Sequence, residues 1–231
     1  MCYPIAPMHP WFHLLLWLAL AYLVGAIPCG LLLAKLNGVN IREVGSKNIG
    51  ATNVYRCVGK GWGILTFVLD AVKGLVPALV FPMLGTSALP AFQSLESCFG
   101  LLCGVAAILG HNFPVYLGFK GGKGVSTSAG VLLGVAPAAV GLGALGWAIL
   151  LVATRYMSLA SIGGALAVPA AGWWLYRGQG LTLPLVLTLL GVMVVARHHG
   201  NIRRLLNGTE NKFQFGQRGQ RSEVSGQPEG K

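Results

Sequence analysis

Acidic residues are scarce in this chain: 231 residues hold six Asp and Glu together, and Asp70 is the single aspartate. That scarcity makes a Ser–His–Asp triad hard to assemble. Cysteine is sparse as well. The five (Cys2, Cys29, Cys57, Cys98, Cys103) form no C-x-x-C pair and no His/Cys cluster at zinc spacing. No metal site is therefore expected, and the thiols read as small packing side chains. Charge of either sign makes up only 10% of the chain, against 54% hydrophobic residues and a mean hydropathy of +0.66. A soluble domain of this size does not have that composition; this is an integral membrane protein. The first apolar run, 14–34, is too long for a secretory signal and has no basic stretch before it, so it reads as a retained span. No repeat of fixed period stands out, and the inverted-repeat signature of many transporters is not visible.

The charge that is present is nearly all positive, 17 Lys and Arg for a net +11. Such residues gather on the cytoplasmic side of membrane proteins, near anionic head groups or an anionic substrate. Segments 14–34, 62–84, 95–110, 157–176 and 181–196 are apolar enough to cross a bilayer as helices. The stretch 124–153, with Pro137 near its middle, is either one long kinked span or a hairpin of two short ones. The hairpin places 36–61, 111–123, 154–157 and 197–231 on one face, with nearly all the Lys and Arg, and leaves only Arg177 opposite. Charge bias thus favours an all-α polytopic bundle of about seven spans, N-terminus outside and C-terminus cytoplasmic. One transmembrane catalytic domain is expected over 1–212. The polar tail 213–231, rich in Gly, Gln and Ser, has nothing to build a core from and is expected to be disordered.

Three segments on the basic face have an unusual inventory. "REVGSKNIGATNVYRCVGKGWG" (42–63) mixes Ser46, Asn48, Thr52, Asn53 and Tyr55 with Arg42, Lys47, Arg56 and Lys60 among five glycines. Glycines let backbone N–H groups approach an anion, hydroxyls and amides add donors, and Arg supplies a planar fork for phosphate oxygens. "GHNFPVYLGFKGGKGVSTSAG" carries His111 and runs from Lys120, Gly121, Gly122, Lys123 and Gly124 into the N-terminus of the next helix, where unpaired N–H groups favour an anion. It is not a Walker A loop, because Leu117 stands where the first Gly belongs and Gly124 replaces the Ser/Thr. "ARHHGNIRRLLNGTENKF" (196–213) puts His198 and Asn201, and Asn201 and Arg204, on shared helical faces, with Glu210 beyond. Each segment alone also fits a basic loop or helix resting on lipid head groups. Asp70 and Lys73, three apart inside a span, are expected to neutralise one another. Ser158 and Ser161 form a smaller polar strip with Arg155.

Taken together, "GSKNIGATNVYR", "GHNFPVYLGFKGGKG" with the following "STSAG", and "HHGNIRRLLNGTE" resemble the three cytoplasmic motifs of the bacterial membrane-embedded acyl-phosphate:glycerol-3-phosphate acyltransferase family. The resemblance runs from about residue 20 to 212. It implies transfer of a fatty acyl group from acyl phosphate to the 1-hydroxyl of sn-glycerol 3-phosphate, giving lysophosphatidic acid and phosphate in the bacterial inner membrane. No cofactor, metal or nucleic acid is implied; the partners are the two substrates, membrane lipids and the soluble enzyme that makes acyl phosphate. The family usually reads "GSGN" where this chain has Gly45, Ser46, Lys47, Asn48, and His199 stands where many members carry another residue. The H-x-x-x-x-D pair of thioester-using acyltransferases is absent. An activated mixed anhydride mainly needs two phosphates and one hydroxyl held in register. Ser46, Thr52, Arg56, Lys120 and Lys123 are expected on phosphate oxygens, and His198 and Asn201 near the glycerol hydroxyls. The proton acceptor is the departing phosphate, His198 or His111. A transporter of small organic phosphates is the alternative. It predicts polar groups near mid-membrane in several helices, where this chain has only Asp70 and Lys73. A non-catalytic anchor for soluble lipid enzymes is a third reading, and would tolerate loss of Ser46 and His198.

Overall fold

The computed structural model describes residues 10–87 and 96–214, and every regular element in them is helical. Pro28 lacks an N–H and breaks the first apolar run into α1 (Pro10–Ala26) and α2 (Cys29–Leu36). The span expected at 14–34 is thus interrupted at Ile27 and Pro28, while Trp11–Leu36 as a whole is long and apolar enough to cross a membrane. A break of this kind frees backbone carbonyls, and Lys73 donates to that of Ile27 at 2.6 Å. Lys73 also meets Asp70 at 2.7 Å, the two side chains being 6% and 3% exposed, so the intramembrane ion pair forms as expected.

A short helix, α3 (Ala51–Cys57), precedes the long α4 (Lys60–Ser87). Then come α5 (Glu96–Asn112), α6 (Val125–Val135), α7 (Pro137–Thr154), α8 (Met157–Tyr176), α9 (Thr182–Arg197) and α10 (His199–Leu206). The chain does break inside 124–153: Ala136 leaves helical geometry at φ −147° and Pro137 opens α7. Among the described residues, five helical stretches are long and apolar enough to cross a membrane, six if α9 and α10, bent by 57°, count as one. The 11 residues of α6 reach only about 16 Å at 1.5 Å per residue, half of a ~30 Å hydrocarbon core. It is sheltered instead by α4, against which Gly130 packs so closely that a Cβ would strike the Ala71 carbonyl. Small residues play the same part between α1 and α5, where Gly25 and Gly110 lie on the backbones of Ala107 and Tyr22. Exposed Leu, Val, Ile and Phe cover the outer faces of the long helices, as a lipid-facing surface requires.

Beyond α10 the chain turns back into the bundle. Phe213 is buried, its N–H donates to the Arg155 carbonyl at 2.5 Å, and its ring lies 4.9 Å from that of Tyr55. Phe213, the first residue of the expected tail, thus packs against the bundle, and residues 215–231 of that tail lie outside the described residues.

Candidate functional site

The three polar segments meet. One cavity of about 440 Å³ is lined by residues before and within α3, by the start of α6, by the start of α8, and by α10 with the turn after it. Because the first turns of α6 and α8 face the same cavity, α6 and α7 run out and back, as the hairpin reading requires.

The loop ahead of α3 is shaped by backbone and amide chemistry. Gly45 and Lys47 both occupy the left-handed region, at φ +58° and +57°. A lysine is strained there; that is a physical reason for glycine at this position, and the Lys47 side chain is exposed, away from the cavity. Asn48 accepts the Gly50 N–H at 2.9 Å, closing the turn that starts α3. Asn53 is 2% exposed and fully engaged: it accepts from Ser46 N at 2.9 Å and donates to the carbonyls of Ile41, Val44 and Asn48 at 3.2, 3.2 and 2.9 Å. Expected as a phosphate ligand, Asn53 is the clamp of the loop instead. Ser46, Asn48, Thr52 and Arg56 line the cavity, and Arg56 donates to the Asn211 carbonyl at 3.2 Å. Burial lowers the pKa of Arg56 and Glu210 opposes the shift, without bringing a guanidinium near neutrality.

The glycine-rich loop divides its residues sharply. Lys123 and Gly124 line the cavity; Lys120, Gly121 and Gly122 do not. Lys120 is exposed and its carbonyl accepts from Arg42 at 2.9 Å. The N–H groups of Gly121 and Gly122 are already given to the carbonyls of Asn112 and His111, at 3.2 and 3.1 Å. These two glycines therefore do not offer the expected phosphate cradle. Their lack of a side chain serves packing, because a Cβ on Gly122 would collide with the His111 imidazole. His111 lines the cavity from beneath, buried, with Nδ1 3.8 Å from Asp70. Lys120→Ala is accordingly expected to leave kcat and both KM values within about twofold of wild type, as for a surface substitution away from a site; steady-state kinetics in detergent checks it.

Glu210 is the hub of the third segment. One carboxylate oxygen receives Ser158 Oγ at 2.8 Å and Asn201 Nδ2 at 2.7 Å, and the other receives Arg204 Nε at 2.7 Å. Burial raises its pKa, but those three donors and the Arg204 charge outweigh it and hold the carboxyl below its ordinary value. Asn201 turns its Oδ1 to Lys123, which donates to it. Ser161, also on the cavity, is tied to the Met157 carbonyl at 2.8 Å. His198, 2% exposed, has Nδ1 2.8 Å from the Val194 carbonyl. A carbonyl can only accept, so that nitrogen bears the proton and Nε2 keeps the lone pair. Burial, opposed by Glu210 and aided by the positive Arg204, Arg56 and Arg197, brings Lys123 down to about 8.

Of the sequence-derived residues, fourteen (Ser46, Asn48, Thr52, Asn53, Arg56, His111, Lys123, Gly124, Ser158, Ser161, His198, Asn201, Arg204, Glu210) share this cavity. Sequence reasoning missed its apolar wall, Ile64, Phe67, Trp147 and Phe213 among others. An open apolar groove walled by Trp147, Leu151, Val152, Met157 and Phe213 adjoins it. No group of three or more His, Cys, Asp or Glu is placed to hold a metal ion among the described residues.

The family model described as "Glycerol-3-phosphate acyltransferase" matches residues 15–208. The glycerol-3-phosphate acyltransferases of Geobacter sulfurreducens and Trichlorobacter lovleyi are 50% and 48% identical over 199 and 200 residues; these matches cover 84% and 86% of this chain and 95% and 97% of theirs. That of Aquifex aeolicus is 41% identical over 193 residues, covering 84% of this chain and 95% of its own. Among solved structures, PlsY (YgiH), an integral membrane glycerol 3-phosphate acyltransferase, matches in its glycerol 3-phosphate form with a TM-score of 0.77 and 39% identity, over 87% of this chain and 96% of that one. Its lysophosphatidic acid form matches with a TM-score of 0.75 and 38% identity, over 87% and 95%.

Proposed function

We propose, for a chain that belongs to the glycerol-3-phosphate acyltransferase family, that acyl phosphate is the donor and the 1-hydroxyl of sn-glycerol 3-phosphate the acceptor. The protein is a multi-pass integral membrane acyltransferase of phospholipid synthesis.

The observation that carries the reading is the mixture of cations on one cavity wall. Arg56, Lys123 and Arg204 face a space that also opens to an apolar groove. Such a space suits a substrate with a phosphate at one end and an alkyl chain at the other, beside a second, water-soluble phosphate. Asp70 pairs with Lys73 and stands 3.8 Å from His111 Nδ1, beyond hydrogen-bond reach, while Glu210 is held by its three donors, so no described histidine of the site is hydrogen-bonded to a carboxylate, as a thioester mechanism built on a carboxylate-oriented histidine would need. In our reading the 1-hydroxyl oxygen attacks the acyl carbonyl carbon, the bond from that carbon to the phosphate oxygen breaks, and the departing phosphate takes the hydroxyl proton. His198 Nε2 accepts a hydrogen bond from the neighbouring 2-hydroxyl and so aims the glycerol, leaving the 1-hydroxyl proton to the phosphate. Lys123 and Arg56 stabilise the growing charge on the leaving phosphate, and Ser46, Asn48, Thr52 and the α6 N-terminus supply further donors. The acyl chain lies in the groove past Trp147 and Phe213. The basic end of the bundle is the cytoplasmic one, in a bacterial inner membrane, with the N-terminus outside; a soluble enzyme making acyl phosphate would deliver donor to that end.

Purified protein in detergent, given glycerol 3-phosphate and either acyl phosphate or an acyl thioester, tests the donor. Release of phosphate with lysophosphatidic acid only from acyl phosphate is the expected result. Equal or faster turnover of the thioester would overturn it.

A further inference from the structure

Arg197 ends α9 and, in the sequence, is one basic residue among many past the last span. In the structure it does something specific. Nε donates to the Gly122 carbonyl at 3.1 Å, and Nη2 donates to the carbonyls of Gly121 and Gly122 at 3.1 and 2.7 Å. The guanidinium carbon stands 5.2 Å from the centroid of the Phe113 ring, at the start of the same loop. One side chain thus grips both peptide carbonyls immediately ahead of Lys123. Lys123 then enters the cavity and reaches Asn201, while the residue after Arg197, His198, lines that cavity too.

The physical need is clear. Two consecutive glycines give a loop more conformational freedom than any other pair, and an ammonium on a four-carbon stem adds more. Left to itself, such a loop would present Lys123 over a wide volume. A planar fork with several charge-assisted bonds removes that freedom; lysine, a point charge, cannot duplicate it. Arg42, which also binds this loop, holds the exposed Lys120 carbonyl and not the glycines.

We propose that Arg197 is a positioning residue for acyl transfer: by holding the carbonyls of Gly121 and Gly122 it sets where Lys123 presents its positive charge to phosphate, without touching substrate. This rests on the reading of the cavity as a phosphate site.

The experiment compares wild type, Arg197→Lys, Arg197→Gln, Lys123→Ala and the double variant Arg197→Lys/Lys123→Ala, each full-length in detergent with acyl phosphate and glycerol 3-phosphate. A small misplacement of a binding group costs up to about 10²-fold, and a loss of that order in kcat/KM is expected for Arg197→Lys, and more for Arg197→Gln. The alkaline limb of the pH profile should move upward in both, because a loosened Lys123 is better hydrated, and in the glutamine variant it also loses a positive neighbour. The double variant should be hardly worse than Lys123→Ala alone, since both changes act through one ammonium. A merely structural arginine would lower thermal stability but leave the pH limb in place, with losses that multiply. Overturning results are Arg197 variants within twofold of wild type, multiplicative losses in the double variant, or failure of both single variants to fold. If instead wild type ignores acyl phosphate, or Lys123→Ala matches wild type, it is the phosphate reading of the cavity that falls.

Discussion

Replacing Lys123 by alanine is expected to lower kcat/KM by about 10²–10³-fold, the usual cost of deleting one preorganised donor from a site that stabilises developing negative charge. The protein should still fold, because the hydrogen bond lost is one among several at Asn201, whose Nδ2 remains on Glu210 at 2.7 Å. The pH dependence sharpens the test. Burial holds the Lys123 ammonium at about 8, so in the free enzyme the protonated, active form predominates at neutral pH and is lost as pH rises. Wild-type kcat/KM should therefore bend near pH 8 and fall about tenfold per unit above it, while kcat, measured with phosphate bound beside the ammonium, should bend at higher pH. Lys123→Arg stays charged throughout. It should lose activity through misfit yet show no limb of this origin, which separates the charge of the group from its shape. A wild-type kcat/KM that stayed flat through pH 9.5 would remove Lys123 from the chemistry.

The contrast between Lys120 and Lys123 shows what could be read in advance and what could not. Both stand in one glycine-rich loop, three residues apart, with the same side chain. Composition and spacing bring the loop to the cavity but carry no information on which way each peptide unit turns. That is decided by the Arg197 fork and by the carbonyls of His111 and Asn112, contacts made by residues far away in sequence. Asn53 is a similar case. Its type and motif position suit a ligand, and only the geometry reveals that all of its hydrogen-bonding capacity is spent on the loop ahead of α3. The helices were far more legible. Long apolar runs need no partner to declare themselves, and Pro137 marks a break because a missing N–H acts locally; Pro28 acts in the same way inside a stretch expected to be a single span. Phe213 was hidden for the opposite reason: an isolated aromatic in a polar stretch has no period, and its place under Tyr55 comes from the turn after α10.

That turn gives the second large effect its logic. Glu210→Ala is expected to inactivate the enzyme, with kcat/KM down by about 10³-fold or more, and also to lower its melting temperature in detergent. The carboxylate is 5% exposed at its side chain and binds three groups from two helices: Ser158 on α8, Asn201 and Arg204 on α10. Hydrogen bonds to a charged group contribute roughly 1.5–3 kcal/mol each, and removing the anion strands three donors at once. It also leaves Arg56, Lys123 and Arg204 facing one another with less neutralisation, so Lys123 should lose its proton at lower pH, since Glu210 favours the ammonium. Glu210→Gln separates the two effects. Its amide oxygen can still accept, so most of the fold should survive, but the charge is gone and the alkaline limb of kcat/KM should shift downward. Acid behaves like the glutamine variant. Because the folded-state carboxyl titrates below its ordinary 4.5, its contribution to stability is fully present above that pH and fades as pH falls through the lowered value. The glutamine variant should therefore lose less stability than wild type on acidification. If wild type and Glu210→Gln melted in parallel from pH 7 down to the acid limit, and with the same alkaline limb, the hub would be incidental to both fold and site.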